Sequence, residues 1–264
     1  MNIYLKNFER DGYCVIKNAI PKEECKKLIR NTLLPILHKK GIYLTKSNTW
    51  HYKYSRRKEG TLIAGKKNGH IISKRNKYFR FPAMYNSREL NTALNLLHGR
   101  DSNTSKWNYQ YLGNEGLGWI HLRFPCKNYN TKVNKNKQFP ITDNSFHLDG
   151  TYEDINNNTK VNSEQSVVML PFITTVKKNG GGTVIIPGSH KEINNYLLRY
   201  NYNSNLDLEN IIENVVNKQQ NKIIDVCGNQ GDILVIHPHL IHGSSLASDK
   251  SRTRITFNIG TKYK

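Results

Sequence analysis

Acidic residues are in short supply in this chain. Its 264 residues hold 20 Asp and Glu against 40 Lys and Arg, a formal net charge of +20. A surface of that kind attracts nucleic acid, anionic membranes or anionic substrates. Asn and Lys are abundant together, with runs such as Asn156-Asn157-Asn158. The excess therefore reads chiefly as compositional drift, with a charge-driven function as the alternative. Cysteine is scarce too. Cys14, Cys25, Cys126 and Cys227 are scattered, with no CxxC spacing. This argues against a disulfide framework or a zinc cage and for reduced thiols. No apolar run reaches the roughly 18 residues of a membrane span. The start, MNIYLKNFERDG, has no apolar signal core. These absences point to a cytoplasmic protein without a membrane span. No internal repeat or domain boundary is visible, so one domain over residues 1–264 is expected.

The composition that remains is globular, with 37% hydrophobic residues, enough to build a core. Tyr13, Val15 and Ile16 follow the Asp11-Gly12 turn and predict a short strand. Pro21 then opens an amphipathic helix. Glu23 and Glu24 lie in its first turn, and Leu28, Ile29, Leu33, Ile36 and Leu37 recur along one face, with Lys39-Lys40-Gly41 closing it. Ser87 is placed to cap a second helix that presents Leu90, Ala93, Leu94 and Leu97.

From Gly118 onward the period changes from helical to alternating. Trp119, His121 and Arg123 alternate with Ile120, Leu122 and Phe124, and Pro125 ends the run. Residues 127–144 are a polar, low-complexity loop. Strands are predicted over 166–176, 183–186, 222–227, 231–237 and 254–260, with Gly- and Pro-rich turns at 179–182 and 187–190. One helix, or two short ones, should cover 191–217. Many short strands after N-terminal helices predict a mostly β fold with flanking helices, a sandwich or jelly-roll barrel. The N-terminal support would span 1–117 and the barrel core about 118–264.

Two stretches carry chemistry. In Ser145-Phe146-His147-Leu148-Asp149-Gly150, an imidazole and a carboxylate stand at i and i+2. An extended chain turns such a pair to one side. A third ligand is offered by His242, in Leu240-Ile241-His242-Gly243-Ser244-Ser245. Two histidines and one carboxylate form the facial triad of non-haem Fe(II) oxygenases, which leaves one side of the metal open. The second stretch, 50–80, interleaves Lys53, Arg56, Arg57, Lys58, Lys66, Lys67, Lys74, Arg75, Lys77 and Arg80 with Trp50, Tyr52, Tyr54, Tyr78 and Phe79. Basic residues among aromatics suit a nucleic-acid strand; a solvated loop in a Lys-rich protein is the plainer alternative.

Four segments in order resemble the phytanoyl-CoA dioxygenase (PhyH) family of Fe(II)/2-oxoglutarate oxygenases. They are FERDGYCVIKNAIPKEECKKL at 8–28, FHLDGTY at 146–152, NGGGTVIIPGSHK at 179–191 and GDILVIHPHLIHGSS at 231–245. The resemblance implies a double-stranded β-helix (cupin-like jelly roll), Fe(II) as the metal, and 2-oxoglutarate and O2 as co-substrates. His147, Asp149 and His242 match the ligands. The family's halogenases carry Gly or Ala where this chain has Asp149, so hydroxylation of a C–H bond with release of succinate and CO2 is implied.

The family also anchors 2-oxoglutarate through an Arg on the strand after the distal His. Both Arg252 and Arg254 are available, on what should be one strand face with Thr256 and Asn258, and the family alignment favours Arg252. Ser244 resembles the assisting hydroxyl. On this reading His121 and Arg123 either face the barrel interior near the co-substrate or serve a merely structural role. His237 matches a family position that does not bind metal, and His190 reads as structural. The expected substrate is a small molecule, acyl-type or anionic. A nucleic acid on the 50–80 stretch is the alternative, and a non-enzymatic basic binding module on a relic barrel the third reading.

Overall fold

The computed structural model describes residues 3–39, 41–49, 61–64, 81–97, 109–111, 119–125, 146–149, 151–153, 159–161, 165–199, 207–245, 247–248 and 252–263. Elements follow in chain order. Helix α1 (Ile3–Asp11) leads into β1 (Tyr13–Ile16). A helical rod comes next: α2 (Lys22–Leu28), a π-helical turn (Ile29–Leu33) and α3 (Leu34–Lys39). After β2 (Thr61–Ala64) come α4 (Pro82–Tyr85) and α5 (Arg88–Leu97). The strands β3 (Tyr109–Tyr111), β4 (Trp119–Arg123), β5 (Thr151–Glu153), β6 (Thr159–Val161), β7 (Gln165–Pro171) and β8 (Thr183–Ile185) precede α6 (Ser189–Arg199) and α7 (Leu208–Lys218). The described chain closes with β9 (Ile224–Val226), β10 (Ile233–Ile236), β11 (His242–Ser244) and β12 (Arg254–Tyr263).

The π turn has a local cause. Pro35 has no N–H to give and its ring crowds the preceding turn. The Leu34 amide instead reaches back five residues to the Ile29 carbonyl, widening the turn. At α5 the Ser87 hydroxyl accepts from the Leu90 amide at 3.2 Å, the expected cap. Helix α1 was not foreseen in the sequence. Its signal is the Tyr4–Phe8 spacing, which turns a half-buried and a buried ring to one side.

A seven-stranded sheet runs β1-β10-β7-β12-β4-β2, with β3 also on β12. A three-stranded sheet runs β11-β8-β9, and β5 pairs with β6; all these pairings are antiparallel. The alternation of side chains sorts the core into layers. Val167 and Met169 of β7, Ile233 and Val235 of β10, and Ile255, Phe257 and Ile259 of β12 pack under the N-terminal helices, against Phe8, Cys25, Leu28, Leu33, Leu90 and Leu94. The opposite faces of β7 and β10, Val168, Leu170, Leu234 and Ile236, meet Ile185 of β8 and Val226 of β9. Val184 and Ile186 turn outward to Ile193, Leu197, Ile212 and Val215 of α6 and α7. β10 is buried at every position because both of its faces are covered. The fold is the expected jelly roll with flanking helices, and the region expected to carry one helix or two over 191–217 carries two.

The Gly231-Asp232 pair at the head of β10 is a structural knot. Asp232 is buried and ion-pairs with Lys17 Nζ at 2.9 Å. It also accepts from the Asn18 and Asn229 amides at 2.9 and 3.0 Å, pinning the corner after β1 to the large sheet. Cys14 and Cys25 are free and buried, and Cys227 is free and exposed. Among the described residues, no helix is long and apolar enough to cross a membrane. The loop expected at 127–144 and the basic residues named at 50–80 lie outside the described residues; from that second stretch only the backbone of β2 is described.

Candidate metal centre and co-substrate site

The site lies between the two sheets. His242 stands on β11 of the small sheet, opposite Ile185 of β8. His147 joins that sheet through a single antiparallel bridge to His242. The two residues exchange both backbone hydrogen bonds, at 2.9 and 3.1 Å, and their rings lie 4.4 Å apart. The expected HxD strand is therefore one bridge long, and the chain turns at Asp149. The alternation still holds across it. Leu148 is buried among Val184, Ile186 and Ile241, while His147 and Asp149 face the other way.

The ligand atoms of His147, Asp149 and His242 all lie within 4.8 Å of one another. His242 Nδ1 donates to the Leu240 carbonyl at 2.9 Å. That bond fixes the tautomer and leaves Nε2 as the coordinating nitrogen, 3.3 Å from Asp149 Oδ2. Burial alone would raise the Asp149 pKa. His242, His147 and the Asn258 amide outweigh it and hold the carboxyl well below the usual range. Burial works against charging His242, but Asp149 outweighs it and raises that pKa. The cluster thus offers two nitrogens and one ionised carboxylate oxygen, a donor set suited to Fe(II) with an open face.

On the large sheet, β12 turns Arg254, Thr256 and Asn258 to this side, opposite its core residues Ile255, Phe257 and Ile259. Asn258 Nδ2 donates to Asp149 Oδ2 at 3.0 Å. Arg254 is buried, and its Nη2 donates to Thr183 Oγ1 of β8 at 3.0 Å. Its Nε has no hydrogen-bond partner among the described residues. Burial brings its pKa down to about 10, partly offset by Asp225, so the guanidinium stays charged at neutral pH. β4 lies alongside, with Arg123 opposite Arg254 and His121 opposite Thr256. Arg123 is buried and its Nη1 donates to the Ser245 carbonyl. Ser244 stands opposite Thr183.

Arg252 departs from expectation. It precedes β12 and is exposed, so it does not share the face of Arg254, Thr256 and Asn258. Thr183 and Asn258 were assigned no role in the sequence; both are short polar residues on strands whose neighbours are apolar, which is the signal that could have marked them. His237 and His190 are not among the clustered ligands. His237 makes tilted ring contacts with Phe8 and His190 and an edge contact with His239, and its Nδ1 accepts from the His239 amide at 3.0 Å.

A two-histidine, one-carboxylate cluster between jelly-roll sheets, with a buried arginine on the strand after the distal histidine, defines a non-haem iron oxygenase. The chain belongs to the phytanoyl-CoA dioxygenase (PhyH) family, whose model matches residues 8–254. It is accordingly an Fe(II)/2-oxoglutarate-dependent dioxygenase, with His147, Asp149 and His242 as its candidate metal site. No curated protein matches it by sequence.

Its fold is similar to that of AviO1 from Streptomyces viridochromogenes Tue57, at 15% identity over 98% of this chain and 93% of that one, TM-score 0.54. It is similar to EctD from S. alaskensis, solved with 2-oxoglutarate and 5-hydroxyectoine, at 14% identity over 98% and 74%, TM-score 0.52. It is also similar to HygX from Streptomyces hygroscopicus, solved with nickel, 2-oxoglutarate and hygromycin B, at 13% identity over 98% and 86%, TM-score 0.50.

Proposed function

We propose that the protein hydroxylates a C–H bond of a small-molecule or acyl-type substrate, with 2-oxoglutarate anchored by Arg254. The carrying observation is the state of that side chain. A buried guanidinium offers five N–H donors in a rigid fork, and Arg254 uses Nη2 on Thr183 while its Nε is buried without a hydrogen-bond partner among the described residues. Such a group suits a carboxylate ligand, because buried donors left unmet are costly. Arg254 also lies in the same β12 row as Asn258, which reaches Asp149, so one strand serves the metal ligand and the co-substrate anchor.

This reading departs from the family alignment, which favoured Arg252. An exposed guanidinium is already solvated and gains less from a carboxylate. Arg123, opposite Arg254, and Ser244, opposite Thr183, border the same region and support the anchor in this proposal. Fe(II) and 2-oxoglutarate, when bound, supply with O2 the oxidative C–H chemistry. The chain's own part is to hold the metal through three side chains, to orient the co-substrate carboxylate, and to keep the reacting C–H close and water away.

The small-molecule class is supported by the ligands of HygX and EctD, hygromycin B and 5-hydroxyectoine. No observation favours a nucleic acid, and the basic 50–80 side chains lie outside the described residues. The test is a mass-spectrometric screen of metabolite extracts with Fe(II), 2-oxoglutarate and O2. A substrate gaining one oxygen atom with matching succinate supports the proposal. Turnover of oligonucleotides alone overturns the substrate class.

A further inference from the structure

We propose that Asn258 is a positioning residue for the metal site: its amide holds the Asp149 carboxylate in its ligating orientation. The inference rests on the metal-site reading above and adds to it a residue that is not itself a ligand. Three observations converge on Asn258.

Asp149 needs an external hold. The segment that carries it is tied to the small sheet by one bridge, at His147, and turns at Asp149 itself. No strand pairing fixes its side chain from either side among the described residues. A carboxylate at the end of a one-residue bridge can rotate, and a rotated carboxylate presents the wrong oxygen, or both oxygens, to a metal. Both oxygens together would take one of the open positions that a facial triad must keep.

Asn258 supplies that hold. Its Nδ2 donates to Asp149 Oδ2 at 3.0 Å. Among the described residues it is the one hydrogen-bond partner of Asp149 that is not also a candidate ligand. An ionised carboxylate only accepts, so the amide must face it with nitrogen, as it does.

The support itself is rigid. Asn258 sits within β12, the strand between β7 and β4 in the large sheet, and its neighbours Phe257 and Ile259 are fully buried. Asn258 on Asp149, like Arg254 on Thr183, is a side-chain bond from β12 to the opposite layer. The large sheet thereby sets the position of a ligand that the small sheet holds only loosely.

The experiment uses Co(II) alone as the probe, without co-substrate. Binding is followed by visible absorption and calorimetry on the full chain, and the melting temperature of the metal-free protein is recorded alongside. Asn258→Leu keeps the branched heavy-atom shape, with somewhat greater bulk, and removes the donor; Asn258→Gln keeps an amide. The expected result is a Co(II) affinity lowered by about 10–100-fold in Asn258→Leu, with altered ligand-field bands. Much of that affinity should return in Asn258→Gln, and the metal-free melting temperature should change little.

Wild-type affinity and bands in Asn258→Leu would overturn the proposal. So would an affinity loss that tracks only a fall in metal-free stability and is equal in the Gln variant. If Asn258→Leu does not fold, Asn258→Ser and Asn258→Gln decide by the same comparison. His147→Ala is run in parallel. Wild-type Co(II) binding by that variant would refute the metal-site reading itself, which separates that failure from failure of the Asn258 role.

Discussion

His147 and His242 are bound to each other through their backbones, by reciprocal hydrogen bonds of 2.9 and 3.1 Å, as well as standing together as candidate ligands. The pairing does not depend on either side chain. His147→Ala should therefore remove a ligand and leave the strand register intact. Iron per chain after reconstitution should fall to near zero, while the circular-dichroism spectrum of the metal-free protein stays unchanged. Iron retention at the wild-type level would refute the assignment of the ligand.

The two arginines near the end of the chain should behave differently. Arg254 is buried on the site face of β12 and Arg252 is exposed before it. Leaving a buried carboxylate without its cation typically costs about 3–5 kcal/mol. Arg254→Ala should thus raise the KM for 2-oxoglutarate by about two to three orders of magnitude, and Arg252→Ala by less than about threefold. Uncoupled succinate release measures both without knowledge of the primary substrate. The reverse ranking would return the anchor to Arg252.

Acid should unfold the metal-free protein through its buried His239 and half-buried His237. Burial first, and then the neighbouring imidazoles, bring His237 down from 6.5 to about 3 and His239 to about 4. The folded state disfavours the proton, so the unfolded chain binds it first as pH falls. The stability these groups contribute is complete above their unfolded pKa. It is lost progressively as pH drops from about 6.5 towards the folded values. Protonating His237 Nδ1 would also displace the His239 amide it accepts. Melting temperature should fall over that window, and His237→Gln should flatten the fall. A slope unchanged by that substitution would locate the acid sensitivity elsewhere.

Gly231 should tolerate no side chain. Its φ is +93°, and a Cβ there would lie 2.1 Å from the Ile20 carbonyl oxygen, whose own amide bonds back to Gly231 at 2.8 Å. Left-handed backbone strain and the backbone clash together should make Gly231→Ala destabilising by about 2–4 kcal/mol. Urea unfolding of the metal-free protein measures this. A loss below about 0.5 kcal/mol would mean that the corner opens freely.

Much of the architecture was already written in local patterns. The period-two run at 119–124, the continuous apolar runs at 166–171 and 233–236, the Ser87 cap and the Gly-Pro turns each act over a few residues, and each of these strands and helices formed close to where its pattern begins. The His147–Asp149 spacing and the HGS segment likewise carried the candidate ligand set. What lay beyond the sequence depended on partners far along the chain. Residues 252 and 254 have the same parity, so alternation could not separate Arg252 from Arg254. The start of β12 did, because pairing with Arg123 begins at Arg254. Thr183 and Asn258 meet Arg254 and Asp149 only because the two sheets close face to face, bringing residues 71 and 109 positions apart within hydrogen-bond distance. Side-chain chemistry and spacing decided what could bind; the stacking of the sheets decided which residues meet.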